Sequence, residues 1–182
     1  GKLLHFLLQW RQLISDSMIL ESILDYRLSF TRHSPPQVVE PSVRLSESEK
    51  SNCFQEIIKL HSKGTIEPVT DCESQFLSTF FLIEKPSGGW RFILNLKILN
   101  EFIIAPHFKL EDWKTVIRIL SPGDFLASID LEDAYFFIPI HEDDRKFLRF
   151  RFQDRLFQFR ALPFGLAFSV VYLDDFLLIG SS

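Results

Sequence analysis

Phenylalanine occurs twenty times in this sequence, against three tyrosines and three tryptophans. That much apolar aromatic mass has to be buried, in strands or against helices. Its placement selects strands. In FLRFRF, Leu148, Phe150 and Phe152 share one face of an extended chain while Arg149 and Arg151 share the other. Phe80, Phe81, Phe92, Phe125, Phe147, Phe150, Phe157 and Phe159 lie in segments of this kind and are expected to pack on sheet faces. With 182 residues the chain is about one domain, long enough for a sizeable core. Its 46% hydrophobic and 24% charged residues are those of a globular rather than a disordered chain. A net charge of -4 argues against a free-standing nucleic-acid binder with a basic surface, and leaves room for an acidic catalytic floor within a larger assembly.

The two cysteines, Cys53 and Cys72, stand apart, with no CxxC and no histidine at ligand spacing, and are expected as free thiols. No apolar run reaches the eighteen or so residues of a membrane helix. LLHFLLQW near the start is short, contains His5 and lacks a following cleavage site, so a secretory signal is not expected. The chain opens on Gly1 and stops at Ser182 directly after an apolar segment, which suggests a piece of something longer.

From Leu3 to Leu24 the spacing predicts two short helices, broken at Ser15-Asp16. His33 to Pro41 reads as an extended linker. Ser46 followed by Glu49 forms a capping box, and Phe54, Ile57, Ile58 and His61 continue one helical face until Gly64 caps the end. FLSTFFLIEK and WRFILNL, joined by Pro86 to Gly89, make a hairpin. Trp113, Val116, Ile117 and Leu120 mark a short helix. Strands follow in FLASID, in FLRFRF and LFQFRAL around Gln153 to Arg155, and in SVVY and FLLIG around Leu173 to Asp175. The expected class is α+β, an antiparallel sheet with helices on one face.

Three places offer chemistry. In SVVYLDDFLLIG two apolar runs flank Asp174 and Asp175, which would sit at a hairpin turn. Adjacent carboxylates repel unless cations hold both ionised; an acidic turn kept for solubility is the plain alternative. In ASIDLEDAYFFIPI, Asp130 ends an apolar strand, where it either caps the next turn or joins the first pair. Oxygen ligands without cysteine or histidine suit a hard cation such as Mg²⁺, and two such ions clamp an in-line displacement at phosphorus. In EKPSGGWR, Lys85 and Arg91 flank a glycine turn from which cations reach a triphosphate, or which is simply an exposed hairpin.

YLDD in an apolar hairpin, Asp130 within DLEDAY, LPFG at Leu162 to Gly165, and GGWR followed by LNLKILN occur in the order used by the fingers and palm of a reverse transcriptase, and the chain resembles the retroelement branch of that family over nearly its whole length. GTIEPV at Gly64 to Val69 and QWRQLISDSMILESILDYRLSF are similar to retrotransposons that encode a tyrosine recombinase, the DIRS-like group. The resemblance implies a helical extension and linker over 1–40, a fingers-like region over 41–120 and a partial palm over 121–182. It implies Mg²⁺-dependent, template-directed addition of deoxynucleotides to a primer 3′-hydroxyl, with two ions and Mn²⁺ as a substitute. The implied partners are an RNA or DNA template with primer, deoxynucleoside triphosphates and the remainder of a polyprotein, in the cytoplasm or nucleus and away from membranes.

At matching positions, Asp130 and Asp174 resemble the principal metal-binding aspartates, with Asp175 their less engaged neighbour and Leu131 offering a backbone carbonyl. Asp133 and Ala134 resemble the pair whose amides approach the triphosphate. Tyr135 resembles the residue under the incoming sugar, where a bulky ring excludes a 2′-hydroxyl. Lys85 and Arg91 resemble the fingers cations, and Pro163, Phe164 and Gly165 the loop lining the nucleotide pocket.

The sequence also departs from the pattern. Only LAFSVV separates Gly165 from Tyr172, where the family carries a helix on the order of twenty residues. Lys97 stands where many relatives have arginine, which weakens bidentate bonding. Thumb and RNase H segments do not follow Ser182 in this sequence. These departures lead to the expectation of an inactive fragment. The alternatives are a decayed or co-opted element acting as a binding module, and another palm-type polymerase, which LPFG and GGWR disfavour.

Overall fold

The computed structural model describes residues 6–13, 15, 17–31, 35, 42–104 and 134–166. The two N-terminal helices form as expected, α1 at Leu7–Leu13 and α2 at Ser17–Asp25. Helix α3, Glu47–Ser62, starts on a complete capping box. The Glu49 amide donates to Ser46 Oγ at 3.4 Å, and the Ser46 amide donates to Glu49 Oε2 at 2.8 Å. These two bonds satisfy donors that the first helical turn leaves unpaired, and the hydroxyl and amide of Ser46 hold the Glu49 carboxyl below its usual range. At the far end Gly64 takes φ +70°, and its amide donates to His61 O.

The buried face of α3 differs from the expected one. Cys53, Glu56, Ile57 and Leu60 are buried, while Phe54 and Ile58 are exposed. The face is set by the strands on which the helix lies, and Cys53, Ile57 and Leu60 form the inward line at helical spacing. Glu56 is tolerated beside that line because Lys59 Nζ donates to its Oε1 at 2.5 Å.

Strands β2 (Phe80–Glu84) and β3 (Trp90–Leu94) form the expected hairpin, with Phe80 opposite Leu94 and Glu84 opposite Trp90. Gly88 and Gly89, at φ +85° and +82°, make a turn that side-chain-bearing residues would strain. Period-two alternation turns Phe80, Phe92 and Leu94 inward, whereas Phe81, expected on a packed face, is 44% exposed on the other side.

A second sheet has the order β1-β5-β4, all antiparallel: β1 is Ile66–Val69, β4 is Arg149–Phe152 and β5 is Arg155–Phe159. The sequence pattern predicts the β4–β5 pair, whereas the structure adds β1 as a strand that the pattern does not mark. Its Pro68 fits because β1 is an edge strand of this sheet. A two-residue turn at Gln153-Asp154 joins β4 to β5, with Gln153 at φ +53°. The two sheets meet through phenylalanine. Phe80 stacks on Phe92 at 5.0 Å, Phe92 tilts against Phe150 at 4.8 Å, and Phe150 stacks on Phe157 at 5.5 Å. Ring pairs at these separations add to the burial of each side chain.

After α2, residues Tyr26 to Thr31 cross the structure as a strap. The Tyr26 amide donates to Pro139 O, and the His141 amide to Tyr26 O; the Thr31 amide donates to Phe102 O and the Ile104 amide to Ser29 O. The Leu28 amide ends on the buried Asp144 carboxylate at 2.9 Å, and Arg27 Nε lies 3.2 Å from the same oxygen. The strap and the β1–β5 pairing hydrogen-bond residues of the 1–40, 41–120 and 121–182 stretches to one another. The structure is α+β. The helix expected around Trp113, the FLASID, SVVY and FLLIG strands, Phe125, and the His33 to Pro41 linker apart from Pro35 lie outside the described residues.

Candidate functional site

Three separate stretches of chain converge at the site. The first is the hairpin. With Ile83 opposite Arg91 and the Lys85 amide donating to Gly89 O at 3.0 Å, alternation puts Lys85, Ile83 and Arg91 on the outer face. Lys85 is half-buried and Arg91 exposed. The second is a 3-10 turn at Ala134–Phe137, which carries Tyr135 and Phe136. The third is the loop through Pro163, Phe164 and Gly165. Its entry is fixed by the Leu162 amide, which donates to Ile138 O at 3.0 Å, and by an antiparallel bridge between Pro139 and Ala161.

Phe164 is the meeting point. Its ring lies edge-on to Tyr135 at 4.8 Å and to Phe136 at 5.3 Å, and the Arg91 guanidinium sits over it at 5.2 Å from the centroid. A cation on an aromatic face at an exposed site contributes about 0.5–1 kcal/mol. That is enough to place the guanidinium and weak enough to release it to an anion. The contact also leaves the charge of Arg91 unneutralised, so an apolar ring surface and a cation face the same space.

Gly165 follows at φ +92°, a conformation open to glycine. A Cβ there would lie 3.5 Å from Leu94 O, at the end of β3, which is ordinary contact; the requirement for glycine comes from the dihedral. Gly165 O accepts a hydrogen bond from Asn100 Nδ2 at 2.8 Å. Asn100 closes the short helix α4, Lys97–Asn100, which begins three residues after β3. Ahead of α4, Asn95 Nδ2 donates to Thr79 Oγ1 at 3.1 Å, and the Lys97 amide donates to Asn95 Oδ1 at 3.3 Å.

Of the residues singled out in the sequence, Arg91, Tyr135, Phe164 and Gly165 are brought together, with Ala134 on the turn that carries Tyr135, Pro163 buried in the loop, and Lys85 on the hairpin face of Arg91. Asp130, Leu131, Asp133, Asp174 and Asp175 lie outside the described residues. Among the described residues, no group of three or more His, Cys, Asp or Glu side chains is placed to hold a metal ion, and no helix is long and apolar enough to cross a membrane. Sequence reasoning missed Asn100 and Phe136. Asn100 stood within LNLKILN, but its partner is 65 residues away and spacing carries no trace of that bond.

A second cationic group lies away from this site, on β4. Arg149 is buried and donates to neutral acceptors: Gln158 Oε1 at 2.8 and 3.0 Å, Gln75 Oε1 at 2.7 Å and Thr70 O at 3.2 Å, with Cys72 Sγ also at 3.2 Å. Nearby, a hydrogen bond from Gln75 and the charge of Arg151 hold the Asp71 carboxyl below its usual range. This cluster ties the loop after β1 to β4 and β5. Cys53 and Cys72 are both free thiols, as expected.

Residues 83–177, just over half of the chain, match the family model described as "Reverse transcriptase (RNA-dependent DNA polymerase)". The genome polyprotein of Petunia vein clearing virus is 28% identical over 152 residues, 71% of this chain and 7% of that polyprotein. The Gag-Pol polyprotein of bovine immunodeficiency virus is 32% identical over 107 residues, 56% of this chain and 7% of the polyprotein. The chain thus spans a small part of these relatives' length. Among solved structures, the foamy viral protease-reverse transcriptase in complex with dsDNA superposes with a TM-score of 0.70 at 16% identity, over 84% of this chain and 32% of that one. At that identity the likeness is one of fold: an α+β fragment of reverse-transcriptase fingers and palm.

Proposed function

From the premise that the chain belongs to the reverse transcriptase (RNA-dependent DNA polymerase) family, we propose that it carries the nucleotide site of a polymerase that adds deoxynucleotides to a primer 3′-hydroxyl on an RNA or DNA template. The observation that supports this most is the convergence of Arg91, Tyr135 and Phe164 from three stretches of chain. Arg91 and Lys85 take the triphosphate, a task suited to exposed cations on a hairpin face. Tyr135 lies under the sugar, and its ring excludes a 2′-hydroxyl. Pro163, Phe164 and Gly165 line the pocket, and the amides of Asp133 and Ala134 approach the phosphates. Asp130, Asp174 and Asp175, with the Leu131 carbonyl, are the residues that would hold two Mg²⁺ ions, or Mn²⁺. Held there, the ions would supply activation of the attacking hydroxyl and stabilisation of the leaving oxygen.

Within this frame, 1–40 is a helical extension, 41–120 fingers-like and 121–182 a partial palm. The lineage is the DIRS-like group, on the strength of GTIEPV and the stretch from Gln9 to Phe30. The remaining parts of a polyprotein, a primer-template and deoxynucleoside triphosphates are its partners, inside the cell.

LAFSVV is too short for both a helix and a strand, and positioned-metal catalysis tolerates little displacement. The chain as it stands is therefore proposed to be inactive, and a non-catalytic role as a binding module is the second reading that this gap favours. Primer extension on an RNA template tests both. The chain gives no product, and a version with a helix of about twenty residues inserted between Gly165 and Tyr172 and a thumb segment joined after Ser182 gives product that Asp130→Asn abolishes. Extension by the chain as it stands, lost in Asp130→Asn, overturns the inactivity. Failure of the restored version overturns the polymerase reading.

A further inference from the structure

The loop that carries Phe164 is pinned at both ends, to different parts of the molecule. At its entry, Leu162 is bonded to Ile138, one residue past the 3-10 turn that bears Tyr135. At its exit, Gly165 O is bonded to Asn100 Nδ2, on the short helix that follows the Arg91 strand. Consecutive Cα atoms are about 3.8 Å apart, so fixing Gly165 fixes the backbone of Phe164. Being glycine, Gly165 brings no side chain with which the chain could anchor itself there. We infer that Asn100 is a positioning residue: its amide holds Phe164 in register, and through Phe164 it sets the placement of the Arg91 guanidinium relative to the Tyr135 ring. The nucleotide role of that spacing rests on the reading above, whereas the tie itself is a matter of geometry.

Asn100→Asp keeps the shape of the side chain but removes the donor and sets a carboxylate against the Gly165 carbonyl; Asn100→Ala removes the side chain. The chain contains three tyrosines, Tyr26, Tyr135 and Tyr172, so labelling with 3-fluorotyrosine gives three ¹⁹F resonances, assigned by Tyr→Phe substitution. Phe164→Leu reports how far the Tyr135 resonance moves when the neighbouring ring is lost. Tyr26, buried in the strap, reports the integrity of the fold.

The expected result is that the Tyr135 resonance moves toward its Phe164→Leu position in both Asn100 variants, while Tyr26 stays in place. The inference is overturned if, in both variants, Tyr135 stays where it is or shifts no more than Tyr26. A purely structural loss would move both resonances together. The chain with helix and thumb restored separates the two layers of argument. If the Asn100 variants move Tyr135 but leave the ratio of deoxy- to ribonucleotide incorporation unchanged, the tie stands and the nucleotide reading of the pocket falls.

Discussion

Gly165 and Cys53 show how single positions carry consequences that their neighbours in sequence do not announce. At Gly165 the space for a methyl group is adequate but the φ of +92° is not, so Gly165→Ala is expected to destabilise the chain by about 1–3 kcal/mol, read as a lower urea midpoint. Cys53 is fully buried on α3, and burial, reinforced by the Glu49 carboxylate, pushes its thiol up to about 11. A raised thiol binds its proton more tightly folded than unfolded. Its contribution to stability is therefore complete below its ordinary value of 9.0 and is lost as pH rises from there toward 11. Urea melts at pH 8 and pH 10 should show a larger fall in midpoint for the natural chain than for Cys53→Ala. Neither property could be read from the sequence: LPFG contains a glycine whose dihedral is set by its docking, and a lone cysteine gives no sign of its depth.

At the scale of elements, what was legible was whatever local chemistry decides. The Ser46–Glu49 capping box, the Gly88-Gly89 turn and the alternation in FLRFRF each act within a few residues, and each formed. What was not legible was which face an element turns inward. Phe54 and Ile58 are more apolar than Glu56, yet Glu56 is the buried one, because the strands under α3 select the Cys53–Ile57–Leu60 line and Lys59 satisfies the carboxylate. The same holds for β1, whose partner β5 lies some ninety residues on and whose Pro68 weakens its local strand signal. The phenylalanine excess is explained at this scale. Phe150 is fully buried and touches the rings of Phe80, Phe92, Phe157 and Phe159, bridging the two sheets. Phe150→Ala should cost about 3–5 kcal/mol in chemical denaturation, where Phe81→Ala on the exposed face should cost far less.

For the molecule as a whole, the strap from Tyr26 to Thr31 and the mixed origin of the β1-β5-β4 sheet bind distant stretches of sequence together, which brings Arg91, Phe164 and Tyr135 to one place. The residues of the proposed nucleotide pocket could be singled out one by one from motif order. Its assembly, through the ring of Phe164 and the amide of Asn100, could not, since it depends on contacts between segments with no shared pattern. The measurement that bears most directly on this account is single-nucleotide incorporation on an RNA template by the chain with helix and thumb restored, comparing deoxy- with ribonucleoside triphosphates with Tyr135 in place and in Tyr135→Ala. Truncating the ring should lower the deoxy-to-ribo ratio by roughly tenfold or more, equivalent to about 1.4 kcal/mol of lost discrimination. An unchanged ratio with incorporation intact would contradict the assignment of this cluster as the deoxynucleotide pocket.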